Sequence, residues 1–82
     1  MSTTNQPHTF PASGLVVENL PGAVFRVKIE KTENPEMIDK LVLCTISGKM
    51  RMNWVRLLPG DKVSCDISLL DPTRGRITYR LK

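Results

Sequence analysis

From Gly14 onward the chain is written in short runs of alternating apolar and polar residues separated by turn residues. Phe25, Val27 and Ile29 interleave with Arg26, Lys28 and Glu30, the period of two that a half-buried strand requires. The same alternation recurs twice. Val63, Cys65, Ile67 and Leu69 alternate with Ser64, Asp66 and Ser68, and Ile77, Tyr79 and Leu81 with Arg76, Thr78 and Arg80. Residues 15–20, ended by Pro21-Gly22, and residues 41–46, ended by Ser47-Gly48, complete a set of five predicted strands. On this parity Phe25 and Tyr79 are expected to face the core.

One segment breaks the period. Around a helix at about 100° per residue, Met50, Trp54, Leu57 and Leu58 share a face, with Lys49, Met52, Asn53 and Arg56 opposite and Arg51 on the flank. Ser47 is a plausible N-cap and Pro59-Gly60 a stop. The prediction is therefore an all-β protein: a five-stranded OB-fold barrel, with one short helix between strands three and four. Residues 1–13, polar and holding Pro7 and Pro11, are expected to form a disordered N-terminal tail, and residues 14–82 the OB-fold domain. Residues 31–40, charged and containing Asn34-Pro35, read as an exposed loop.

At 82 residues the chain has room for one domain and only a thin core. That favours a binding module over an enzyme. Its net charge of +4 is uneven: residues 1–46 carry −1, residues 47–82 carry +5. An anionic partner such as nucleic acid or a membrane surface fits that asymmetry. Cys44 and Cys65 belong to no Cys-x-x-Cys pair, and the lone His8 cannot complete a zinc site. They read as reduced core residues, with no metal and no cofactor expected. Gly48-Lys49 lacks the other residues of a phosphate-binding P-loop, and no catalytic triad or carboxylate pair can be assembled. Without a leader pattern or a long apolar run, the expected location is cytoplasmic, or the stroma of a plastid.

Two cationic clusters remain. Residues 47–59 hold Lys49, Arg51 and Arg56 without one Asp or Glu to pair with them. Such a face is either simply solvated or complementary to phosphate. Arg74 and Arg76 flank Gly75 after a turn-forming Asp71-Pro72-Thr73, and Arg80 and Lys82 continue the outward parity along the last strand. Arginine suits phosphate because its planar fork can donate two parallel hydrogen bonds. Trp54 lies at helical spacing from Met50, which fits core packing, while stacking on a base is the alternative. The candidate RNA-binding set is Lys49, Arg51, Trp54, Arg56, Arg74, Arg76 and Arg80.

Residues 14–82 also carry a family resemblance. Leu20-Pro21-Gly22 with Phe25-Arg26-Val27, Ile46-Ser47-Gly48-Lys49-Met50-Arg51, Val55 through Val63, and Gly75-Arg76-Ile77 with Tyr79-Arg80 stand in the order found in bacterial and plastid translation initiation factor one. The chain resembles that family, whose fold is an OB barrel. The resemblance implies a non-enzymatic, monomeric factor that binds the small ribosomal subunit at the decoding (A) site. It implies contacts with ribosomal RNA and a neighbouring ribosomal protein, a block on premature tRNA entry, and assistance to initiation factors two and three. It also implies that Lys49, Arg51, Arg56, Arg74, Arg76 and Arg80 face RNA, and that Trp54 holds a usually aromatic position. Met52 departs from a commonly basic position, Leu70 from a commonly aromatic one, and the loop at 31–40 is longer than usual. Two other classes remain: a general single-stranded RNA binder or chaperone of cold-shock type, and a protein-interaction module using the acidic loop 33–39.

Overall fold

The structure, a computed structural model, describes residues 8–52 and 56–81, with the Arg51 side chain also outside the description. Five strands run β1 (Thr9–Leu20), β2 (Val24–Thr32), β3 (Leu41–Ile46), β4 (Lys62–Ser68) and β5 (Arg74–Arg80). They close in the order β1-β2-β3-β5-β4, with β4 returning to β1. Every pairing is antiparallel except β3 with β5. A short helix α1 (Gly48–Met52) lies between β3 and β4, which completes the expected OB barrel.

The alternation becomes the core directly. Val16, Val27, Ile29, Val42, Cys44, Val63, Cys65, Ile67 and Ile77 are fully buried inside the barrel, and Phe25 joins them. Each such aliphatic side chain contributes about 1.5–3 kcal/mol by leaving water. Cys44 and Cys65 are free thiols. The Cys65 side chain against it, and then burial itself, push the Cys44 thiol up, so it stays neutral. Gly14 is where β1 crosses close over β2: a Cβ there would lie 2.2 Å from the Lys28 carbonyl oxygen. The β1–β2 register also slips on either side of Gly14–Val16, bending β1 far enough to pair with both β2 and β4.

Three boundaries differ from expectation. β1 begins at Thr9, so residues 9–13 belong to the barrel rather than to a tail. Pro11 is compatible because β2 pairing starts only at Ala12, and the Pro11 carbonyl, on the β2 side, accepts the Thr32 hydroxyl at 3.2 Å. β2 runs on to Thr32, and a 3-10 turn at Pro35–Met37 buries Met37, so the charged loop is anchored rather than loose. Ile29 further ties the loop down by exchanging backbone hydrogen bonds with Asp39 and Lys40. The helix is shorter than its pattern. α1 is described over Gly48–Met52, and Arg56–Leu58 are non-helical. Met50 and Leu57 still plug the barrel as expected, but Leu58 is 54% exposed.

Candidate nucleic-acid interface

α1 is set against β5 by a shared register. Ile46 of β3 lies beside Ile77, and the Ser47 amide then donates to the Ile77 carbonyl at 2.9 Å. The Ser47 hydroxyl caps the helix, accepting the Met50 amide at 3.3 Å. Burying Met50 in the barrel mouth leaves Lys49 and Met52 turned outward. Lys49 is exposed in the first turn of α1, and Arg76 is exposed on β5 opposite Thr45 on one side and Asp66 on the other.

Arg56 comes in from a different direction. Its successor Leu57 is buried, and the Leu57 carbonyl accepts the Asn19 amide at 3.5 Å. Gly60 then donates to Val16, in a turn whose positive φ of 100° glycine adopts without strain. Arg56 thus stands at the end of β1, exposed. Among the described residues, no carboxylate lies within 4.0 Å of Lys49, Arg56 or Arg76.

Arg74 and Arg80 have different surroundings. Arg74 sits 3.7 Å from Asp71, inside a turn where the Asp71 carboxylate also accepts the Thr73 hydroxyl and amide. Those two hydrogen bonds, and then the Arg74 charge, hold the Asp71 carboxyl below its usual range. Arg80 sits 3.5 Å from Asp61, whose side chain is only 17% exposed and also accepts the Leu58 amide at 2.9 Å. Asp61 is a partner that the sequence does not announce. It lies far from Arg80 along the chain, and only the fold joins them.

The end of β5 also overturns the parity expectation. Cys65 pairs with Ile77, yet the adjacent Ser64 pairs with Tyr79, leaving Thr78 as an extra residue. This β-bulge swaps the two faces for everything after it. Tyr79, expected in the core, lies on the outer face with Ser64 and is 65% exposed. Arg80, expected outside with Arg76, falls in register with the inward Val63 at the barrel rim, where Asp61 meets it. Trp54 and Lys82 lie outside the described residues, as does the side chain of Arg51.

No protein-family model matches the chain. Among solved structures it is similar to translation initiation factor one from the Wolbachia endosymbiont strain TRS of Brugia malayi. The two share 35% identity at a TM-score of 0.67, over 95% of this chain and 84% of that one. It is also similar to YjeQ from Thermotoga maritima, at 26% identity and a TM-score of 0.63, over 88% of this chain but 23% of that one. Apo-CusF from Escherichia coli, at 17% identity and a TM-score of 0.58 over 93% of this chain and 88% of that one, shares the fold. With the barrel order, the inserted helix and 35% identity over nearly its full length, the chain belongs to the family of translation initiation factor one.

Proposed function

We propose that this protein is a non-enzymatic translation initiation factor that binds the small ribosomal subunit at its decoding site. In this reading it contacts ribosomal RNA and a neighbouring ribosomal protein, blocks premature tRNA entry and assists initiation factors two and three. The observation that carries the reading is the 35% identity to translation initiation factor one over 95% of the chain. The cations support it independently. Lys49, Arg56 and Arg76 project from a rigid barrel with no described carboxylate to neutralise them. Such groups gain most from phosphate. Arg51, Arg74 and Arg80 complete the electrostatic set, with Arg74 and Arg80 exchanging an aspartate partner for a phosphate. Trp54 is the aromatic member.

Chemical footprinting of ribosomal RNA in purified small subunits tests this. Protection confined to the decoding region is expected, and its absence refutes the reading. Affinity should also fall with rising salt, by roughly 0.7–0.9 log units per log unit of salt for each phosphate neutralised. A flat salt profile would remove the cationic footprint.

A further inference from the structure

The bulge at Thr78 gives the outer face a feature that the cationic set does not use. Tyr79 stands in a row crossing three strands: it pairs with Ser64 of β4, and Ser64 pairs with Ser13 of β1. Along β4, two residues to one side of Ser64 on the same face is Asp66, opposite Arg76; two residues to the other side is Lys62. At about 3.3 Å per residue, Arg76 and Lys62 therefore flank the row at roughly 7 Å on either hand. Among the described residues neither has a carboxylate within 4.0 Å.

A large ring 65% open to water, at a site where the alternation of the strand would have buried it, contributes no burial to the fold and is free to cover a ligand. Beyond Ser64 a shallow groove of about 370 Å³ continues along the row, with Pro11 and Ala12 in its lining and Ser13, Ser64, Lys31, Thr32 and Glu33 as its polar members. There Glu33 offsets Lys31, so that part of the face suits the polar edge of a base better than a phosphate. Carboxylates accept hydrogen bonds from exocyclic amino groups of bases.

We propose that Tyr79 is a stacking platform for one unpaired RNA base, with the phosphates on either side held by Arg76 and Lys62, and with the Ser64–Ser13 groove taking the next base. This deepens the RNA-binding reading and rests on its ligand class, but it assigns Tyr79, Lys62, Ser64 and Ser13 to the interface. Base–aromatic stacking tolerates any sequence, because every base offers a π-face.

The test uses the full chain and an unstructured deca-cytidylate, whose bases carry an exocyclic amino group, followed by NMR and by equilibrium binding. Titration is expected to shift the amides of Ser13, Ser64 and Tyr79. Tyr79→Ala should weaken binding about 5- to 150-fold, while Tyr79→Phe, which keeps the ring, should restore it. The salt slope should be unchanged in Tyr79→Ala and lowered by about one in Lys62→Gln. Binding of Tyr79→Ala within twofold of the parent, or amide shifts that bypass Ser64 and Tyr79, overturns the proposal. The two readings separate cleanly. Decoding-site protection that persists unaltered in Tyr79→Ala, alongside undiminished oligonucleotide binding, leaves the ribosomal reading standing and removes this one. Loss of oligonucleotide binding in a protein that never protects ribosomal RNA does the reverse.

Discussion

Arg76 and Arg80 lie four residues apart on the same strand, and simple alternation would give them the same environment. Arg76 is exposed with no described carboxylate inside 4.0 Å, whereas Arg80 turns to the rim of the barrel and meets Asp61 at 3.5 Å. The cause is one supernumerary residue, Thr78, whose hydroxyl donates to the Ser64 carbonyl at 3.3 Å and holds the bulge closed. Before it the strand is packed tightly. A Cβ on Gly75 would come within 2.8 Å of the Asp66 carbonyl oxygen and 3.3 Å of the Cys44 sulfur. After it the strand opens to solvent. The two halves of β5 therefore differ: in the first, Gly75 and Ile77 seal the barrel beneath an outward Arg76, and in the second the faces are exchanged, with Tyr79 outward and Arg80 at the rim.

The largest expected effect breaks the first half. Gly75→Ala should cost about 1–3 kcal/mol through overpacking against backbone that cannot retreat. For a domain of this size that lowers Tm by about 4–8 °C per kcal/mol, read by thermal denaturation. Tyr79→Ala, in the open half, should leave Tm nearly unchanged. Next comes the contrast between the two arginines. Arg76→Gln should weaken small-subunit binding about tenfold and lower its salt slope by about one, with stability intact. Arg80→Gln should instead cost about 0.5–1 kcal/mol of stability, since a half-buried Asp61 loses its partner, with a smaller loss of affinity. Equal binding losses in the two variants would mean that the bulge does not divide the strand.

The smallest effect concerns the turn leading into β5. Asp71 has its carboxyl held below its ordinary 3.8 by Thr73 and Arg74. A depressed folded value means that this contribution is fully present above pH 3.8 and is lost as pH falls through the lower folded value. The Thr73 amide and the Arg74 guanidinium should therefore keep their NMR positions down to that pH and move only below it.

Much of this fold is legible in the chain. The period of two locates three strands and turn-bounded apolar runs the other two, and β3 is readable to the residue, because Leu41–Ile46 is bounded by a charged loop and Ser47-Gly48. The start of β1 is hidden by Pro11, which reads as a breaker until β4 alone is seen to pair with that stretch. The helical pattern outruns the helix, since Leu57 is buried by a non-helical segment tied to Asn19 and needs no further helical turn. The bulge at Thr78 has no marker at all. Neither glycine nor proline stands there, and the slip exists only between two strands. Tyr79 and Arg80 are therefore misplaced together by alternation, each taking the face of the other. Lys49 and Arg76 are alike in character along the chain, but only the parallel β3–β5 pairing brings the segments that carry them together.

The closure of the sheet also bears on how the molecule avoids self-assembly. With β1 hydrogen-bonded to both β2 and β4, each described strand has a partner on either side. Along these paired stretches no long row of free amides and carbonyls is left as a template for a foreign strand, which is the usual seed of fibrils and domain exchange. What docks on the paired faces of this barrel is recognised there by side chains, so that surface can be rewritten residue by residue while the hydrogen-bonded frame beneath stays whole.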